Sequence, residues 1–156
     1  MEMETATNWK QNGYTISIDK QFLQEEVIYN YLHHESYWAK GVPLEVVRTS
    51  IIHSAYCFGV YKGEPGAPGC QQVGFARVIS DRATFAYLCD VFIVPSESGK
   101  GLGKWLMEVI SEYPGMTRVR RFMLATRDAH GLYAKYGFGS LEEPEKFMAT
   151  KRRPNV

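Results

Sequence analysis

An apolar stretch near the middle of the chain, TFAYLCDVFIVP (Thr84 to Pro95), constrains the fold more than any other segment. Its side chains are apolar at both alternating sets of positions, which is typical of a strand covered on both faces of a sheet. A glycine-rich turn follows, and then an amphipathic helix. The helix has a predicted buried stripe of Leu102, Trp105, Leu106, Val109 and Ile110. The sequence therefore predicts a central strand that passes through a glycine turn into a helix.

Length and composition predict one domain over residues 1–156, with residues 1–12 loosely ordered. The 156 residues are 45% hydrophobic and 22% charged, as in ordinary globular proteins. A net charge of +1 gives no general reason to expect nucleic acid or a membrane surface as a partner. The three cysteines show no CxxC spacing, so no metal site is expected. The chain shows neither a signal peptide nor a membrane span, and we expect a reduced, cytoplasmic protein.

The remaining periodicities predict an α/β fold with element order β-α-α-β-β-β-α-β-α-β. Three consecutive strands after two helices indicate an antiparallel meander, and the two later strand-helix units indicate crossovers. The expected architecture is a mixed, mostly antiparallel sheet with helices on both faces. The tail EKFMATK is predicted as the last strand, and Asp128 is predicted to cap the last helix.

The glycine turn has the features of an anion site. The first N–H groups of a helix lack backbone acceptors, and the helix dipole is positive there. Glycines at 99, 101 and 103 remove the Cβ atoms that would keep an anion away from these amides. The segment therefore suits phosphate or pyrophosphate, with added charge from Lys100 and Lys104.

Two nucleotide-binding loops fit this segment poorly. A Walker A loop needs GxxxxGK[ST], but Ser98 occupies the first glycine position and Trp105 the last position. A dinucleotide loop needs GxGxxG, but Lys104 occupies the third glycine position, and the segment follows three meander strands. A turn without a ligand is the remaining alternative.

The sequence resembles the GNAT superfamily of N-acetyltransferases in two motifs. The first is IVPSESGKGLGK, which has glycines at both defining positions of the family's loop, Gly99 and Gly101. In the family this loop follows a strand that ends in V-x-P, and here the strand ends in Ile93-Val94-Pro95. The second is TRDAHGLYAKYGF, which matches the family pattern at Ala129, Leu132, Tyr133, Gly137 and Phe138. Ser98 and Thr126 depart from the arginine or glutamine and the asparagine that the family prefers at their positions. The resemblance covers roughly residues 14–151.

The resemblance implies that acetyl-CoA binds where two neighbouring strands separate. Backbone groups of Val91, Phe92 and Ile93 would pair with the pantetheine arm, and the glycine turn would bind the pyrophosphate. The implied cofactor contacts are Val91, Phe92, Ile93, Ser98, Gly99, Lys100, Gly101, Leu102, Gly103, Lys104, Thr126, Asp128, Ala129, Leu132, Tyr133 and Tyr136. A substrate amine would then attack the thioester directly in a ternary complex.

The same resemblance assigns Tyr133 as the acid that protonates the departing thiolate. Asp90 lies in an apolar strand near a position where the family often has an acidic residue, so it is either a base or substrate contact, or a partner in a structural salt bridge. Tyr37 and Trp38 either line the acceptor pocket or pack between two helices.

The acceptor would be a small-molecule amine or a protein amino group, and the open sheet edges suggest a homodimer. A second reading from a different class is a non-catalytic acyl-CoA-binding module with the same fold. The departures at Ser98 and Thr126 favour this module, whereas the presence of Tyr133 and Asp90 favours the enzyme.

Overall fold

The computed structural model describes residues 6–152, and a six-stranded sheet with its strands in chain order forms its centre. The strands are β1 (Asn8–Gln11), β2 (Tyr14–Ser17), β3 (Tyr56–Lys62), β4 (Gln71–Ser80), β5 (Phe85–Ile93) and β6 (Arg121–Leu124). Each neighbouring pair is antiparallel except β5 and β6, which are parallel. The prediction of a mixed, mostly antiparallel sheet is confirmed.

Helices cover both faces of this sheet. They are α1 (Glu25–Asn30), α2 (Leu44–His53), α3 (Leu102–Glu112), α4 (Pro114–Thr117) and α5 (His130–Ala134). One core cluster joins α1 and α2 to the sheet around Phe75 and Phe92, and a larger cluster joins α3 to the opposite face. No helix within residues 6–152 is long and apolar enough to cross a bilayer.

The helix after the glycine turn is the main packing element on its face. All five residues of the predicted stripe are buried in α3, and Leu106 and Ile110 are 0% exposed. The helix begins after Gly101, which has a φ of +79°, and ends at Tyr113 immediately before Pro114. The apolar period therefore predicted both the helix and its buried face correctly.

The prediction of a loosely ordered N-terminus is wrong from residue 8 onward. Asn8–Gln11 forms β1, which pairs with β2 through the turn at Asn12 and Gly13. Both turn residues have positive φ, +50° and +83°, as a two-residue hairpin turn requires. The dipeptide Asn-Gly was the available sequence signal for this hairpin.

We predict that Trp9→Ala lowers the free energy of unfolding by about 1–3 kcal/mol, because its ring packs against buried aromatic residues. The Trp9 ring centroid lies 6.4 Å from that of Phe58 and 6.1 Å from that of Tyr113. Urea unfolding measures the change, with the exposed Asn8→Ala as the control. Equal stability of both variants would show that β1 contributes nothing to the core.

The predicted last strand is also wrong. The tail forms a short 3-10 turn at Pro144–Lys146 and then continues without pairing to a strand in the described part of the chain. Met148 is 97% exposed, so the alternating pattern of the tail buries little apolar surface here. The observed order also gains β1 and the short α4, relative to the predicted order.

Candidate active site

A bulge in β5 lies just beyond the point where this strand separates from β6. Phe75 pairs with Phe92 and Arg77 pairs with Cys89, so β5 has one more residue than β4 between these two pairs. Asp90 lies in this bulge with a φ of +54°. Pairing between β5 and β6 ends at Leu88 and Leu124, although β5 continues to Ile93. A cleft therefore opens between two parallel strands, as the sequence resemblance implied.

The cleft has a volume of about 420 Å³ and brings together residues that are distant in the sequence. Its walls include Tyr37, Trp38, Asp90, Val91, Thr126 and Tyr133. The loop after α1 supplies the first two residues, β5 the next two, and the segment from β6 to α5 the last two. The two predicted catalytic residues and the two predicted acceptor residues thus line one cleft.

Asp90 is 9% exposed and uses both carboxylate oxygens. Trp38 Nε1 donates to Oδ1 at 2.8 Å, and Arg77 Nε donates to Oδ2 at 2.8 Å. Burial opposes the charge of Arg77, but the neighbouring carboxylate raises the Arg77 pKa above its ordinary value. Arg77 also donates to Ser54 Oγ at 3.2 Å. The salt bridge that the sequence left as an alternative for Asp90 is present.

Tyr37 connects the two sides of the cleft through Arg127. The Arg127 guanidinium carbon lies 3.8 Å from the centre of the Tyr37 ring, and the Arg127 backbone N–H donates to Tyr37 Oη at 2.8 Å. The Tyr37 and Trp38 rings meet edge to face with centroids 5.1 Å apart. These contacts position the loop that carries Tyr37 and Trp38 beside the cleft between the separated strands.

Tyr133 lies on α5 with its side chain between two cavities. It lines the main cleft and an adjacent cavity of about 550 Å³ beside β6. Burial, with smaller contributions from Tyr37 and Asp128, raises the Tyr133 pKa above its ordinary value of 10.0. The phenol therefore keeps its proton at neutral pH, as a proton donor must.

The segment that enters α5 differs from the predicted cap. The helix follows Ala129 rather than Asp128, and no side chain caps it there. The Ala129 N–H instead donates to Thr126 Oγ1 at 3.1 Å, one turn before the helix. The Asp128 side chain is 66% exposed. Thr126, a departure from the family pattern, thus has a local structural role.

The glycine turn leaves its backbone donors open. Gly99 and Gly101 both have a φ of +79°, and a Cβ atom at either position would meet no atom within 4 Å. Among residues 6–152, no acceptor bonds the backbone N–H groups from Gly99 to Lys104. Ser98 Oγ donates to Pro95 O at 2.8 Å, within its own turn. The turn is thus an open cradle of amides.

Glu97, which the sequence offered as an alternative to Asp90 for the base, anchors the side chains beside this cradle. Its carboxylate accepts hydrogen bonds from Tyr14 Oη at 2.6 Å, Lys100 Nζ at 2.7 Å and Lys62 Nζ at 3.2 Å. These bonds, first that from Lys100 and then that from Tyr14, lower the Glu97 pKa from 4.5 to about 2. Lys100 is therefore paired with an anion of this chain.

This lowered pKa predicts a pH-dependent contribution to stability. A folded-state pKa below the unfolded value stabilises the fold above pH 4.5, and the contribution is lost as the pH falls from 4.5 towards 2. We expect Glu97→Gln to lower Tm at pH 7, and the gap to wild type to close across that window. Thermal unfolding between pH 7 and pH 2.5 measures it, with the exposed Glu108→Gln as the control. A gap that stays constant over this range would contradict the assignment.

The other predicted contacts are distributed around the cleft and the cradle. Phe92 directs its ring away, stacked on Tyr31 at 4.0 Å, so only its backbone is available. Leu102 is 5% exposed and offers only its N–H group. Leu132 packs against the large core cluster, and Tyr136 Oη donates to Lys104 O at 2.9 Å, which joins α5 to the start of α3.

Sequence reasoning missed six residues that line the cleft. They are Tyr87, Leu88, Cys89, Leu124, Ala125 and Arg127. Tyr87 and Cys89 lie on the predicted central strand at alternating positions, so their shared face was available as a signal. Arg127 had no such signal, because its contact with Tyr37 joins residues that lie 90 positions apart.

Comparisons with known proteins agree with this geometry. The family described as Acetyltransferase (GNAT) domain matches residues 54–139. A Gibberella zeae protein with a provisional acetyltransferase name is 33% identical over 142 residues, which cover 82% of this chain and 80% of that protein. A crystal structure from Xanthomonas campestris pv. campestris, provisionally described as a GNAT-family acetyltransferase, is 42% identical. The match covers 94% of this chain and 98% of the Xanthomonas chain, with a TM-score of 0.83.

More distant structures share the fold alone. Glucosamine-6-phosphate N-acetyltransferase from Arabidopsis thaliana is 13% identical to this chain. The match covers 90% of this chain and 99% of the Arabidopsis chain, with a TM-score of 0.61. The matched family segment includes the β5 bulge, the glycine turn and α5, which together build the cleft and the cradle. The chain belongs to the GNAT superfamily of acetyltransferases.

Proposed function

We propose that this protein is an acetyl-CoA-dependent N-acetyltransferase that acts on a primary amine by direct transfer in a ternary complex. The observation that carries the proposal is the cleft between β5 and β6, which has Asp90 and Tyr133 on its walls. Membership of the superfamily supports acetyl transfer. The amine acceptor and the direct mechanism are the proposed part.

The residues of the glycine turn and of the β5 edge fit two different parts of acetyl-CoA. The open amides from Gly99 to Lys104 suit a pyrophosphate, and the absence of Cβ atoms at the left-handed glycines leaves room for it. The edge of β5 beyond Leu88 offers backbone groups to an extended amide-containing chain. When bound, acetyl-CoA supplies the thioester whose acetyl group is transferred.

Charge near the cradle comes from an unequal pair of lysines. Lys100 is bonded to Glu97, so part of its charge is already balanced. Lys104 is exposed and lies in the first turn of α3, so we assign it the larger contribution. Ser98 bonds within its own turn and contributes no side-chain contact in this proposal.

The two predicted catalytic groups have different roles. Tyr133 keeps its proton because burial raises its pKa, and it serves as the acid for the leaving group. Asp90 has lone pairs left after its bonds to Arg77 and Trp38, since a carboxylate accepts about four hydrogen bonds. We assign these lone pairs to the incoming amine, which Asp90 orients and helps to deprotonate.

Calorimetric titration with acetyl-CoA, combined with a thiol-release assay on a panel of primary amines, tests the proposal. We expect saturable binding of acetyl-CoA and amine-dependent release of the thiol. Binding without turnover on any amine would instead support the acyl-CoA-binding module. No binding at all would overturn both functions.

A further inference from the structure

We propose that the acceptor is a primary amine on an apolar stem without a carboxylate or phosphate group, and that the stem lies on a partly exposed apolar strip of the sheet. The strip consists of Ile79, Phe85, Tyr87 and Met123. This inference rests on the proposed function, since it names the substrate class of the same cleft.

Strand register places the four side chains on one face. Ile79 pairs with Tyr87, and Tyr87 pairs with Met123, so these three form a row across β4, β5 and β6. Phe85 lies two residues before Tyr87 and therefore shares its face. Ile79 is 46% exposed and Phe85 is 38% exposed, although both are large apolar residues.

The strip lies on the same face as α1 and α2 but beyond their cover. Those helices pack on Cys57, Phe75 and Phe92. Cys57 pairs with Arg77, and Arg77 pairs with Cys89, so this row shares a face with Tyr87, two residues from Cys89. The sheet face is thus buried under the helices at one end and open at the other.

The open end continues directly from the floor of the cleft. Tyr87 and Cys89 line the cleft, and Tyr87 also belongs to the strip. From Cys89 to Phe85 the strand extends about 13 Å, because a strand rises about 3.3 Å per residue. An amine placed at Asp90 would therefore direct its stem along apolar side chains. Apolar pockets with few polar groups bind ligands by burying such stems.

The charges around the cleft favour a cation over an anion. Asp90 carries the buried negative charge, and Arg77 beneath it is already paired with that carboxylate. Arg127 is the one arginine lining the cleft within residues 6–152, and it contacts the Tyr37 ring and, at 3.9 Å, Asp128. Arg121, which pairs with Phe85 at the far end of the strip, lies over the Phe147 ring at 4.9 Å. The aromatic face of Trp38, which donates to Asp90, also attracts ammonium groups.

Steady-state kinetics at saturating acetyl-CoA test the proposal with matched amines. The pairs are 2-phenylethylamine against phenylalanine, and hexylamine against 6-aminohexanoic acid. We expect kcat/KM to be at least about 10-fold higher for each amine without a carboxylate, whose burial without a partner is unfavourable. From butylamine to octylamine, we expect kcat/KM to rise about 2- to 4-fold per methylene as the stem is buried.

Variants of the strip separate this inference from the proposed function. Ile79→Ser and Phe85→Ser change exposed side chains and should flatten the dependence on stem length, with butylamine turnover retained. Ile52→Ser is the matched control, because Ile52 is 69% exposed on α2 outside the strip. Turnover without dependence on stem length, faster turnover of the carboxylated amines, or unchanged slopes in both strip variants would overturn the inference alone. No turnover with any amine would overturn the proposed function and this inference with it.

Discussion

Replacing Tyr133 with phenylalanine is expected to lower kcat by about 100- to 1000-fold, within the range for loss of a general acid. The ring would still fill its site beside Phe138, whose centroid lies 6.1 Å away, so the fold should be unchanged. No residue in the described part of the chain hydrogen-bonds the Tyr133 hydroxyl, so its removal leaves no buried partner unpaired. Acetyl-CoA should therefore bind the variant with near wild-type affinity.

A thiol-release assay measures the loss of kcat, and calorimetry on the same samples measures the affinity for acetyl-CoA. Tyr29→Phe is a matched control, because Tyr29 lies on α1 outside the cleft and its ring packs against that of His33, with centroids 4.9 Å apart. Burial raises the Tyr133 pKa above its ordinary value of 10.0, so the acid form predominates at neutral and mildly alkaline pH. We therefore expect any alkaline loss of rate from this group to lie above the pH at which an exposed tyrosine titrates. A Tyr133→Phe variant with kcat within a factor of about three of wild type would assign the residue to packing alone.

Gly101→Asp is expected to weaken acetyl-CoA binding by at least about 100-fold, whereas Gly101→Asn should weaken it by less than about 10-fold. Asparagine and aspartate both tolerate left-handed backbone, so the φ of +79° is compatible with either side chain. The two side chains are nearly equal in size and differ in charge. An aspartate at this position would accept hydrogen bonds from the cradle amides and repel a pyrophosphate.

Calorimetric Kd values for both variants, with Tm values as a check on folding, test this prediction. The affinity gap between the variants should narrow as salt increases, because ions screen exposed charges. Equal losses in both variants would assign the effect to bulk rather than charge. Wild-type affinity in both would place the pyrophosphate away from the glycine turn.

Local sequence patterns predicted the parts of the fold that depend on short-range periodicity. The stripe of α3 is buried at all five predicted positions because a period of 3.6 residues fixes which side chains face the sheet. The central strand predicted in the segment Thr84 to Pro95 is observed as Phe85–Ile93, because the apolar run marks a strand covered on both faces. The prediction of a last strand in the tail EKFMATK was wrong, because an alternating pattern forms a strand only where a partner strand is available.

In the candidate site too, the sequence could identify residues of local motifs but not contacts between residues that are distant in the chain. The glycine turn and Tyr133 belong to short motifs, so the sequence could identify them. The partners of Asp90 could not be identified in this way, because Trp38 lies 52 positions away and the bulge that turns Asp90 towards it has no local signature. The anchoring role of Glu97 could not be predicted for a similar reason, since its bond from Tyr14 joins residues 83 positions apart.

The separation of β5 from β6 also bears on how the molecule behaves when nothing is bound. Beyond Leu88, the described chain pairs no strand with the β6-facing side of β5. Unpaired strand edges recruit other strands and promote aggregation. A ligand that hydrogen-bonds along this side would complete the sheet and remove the exposed edge. We therefore expect occupancy of the cleft to raise colloidal stability, because the edge proposed to bind the ligand is also the edge open to association with other strands.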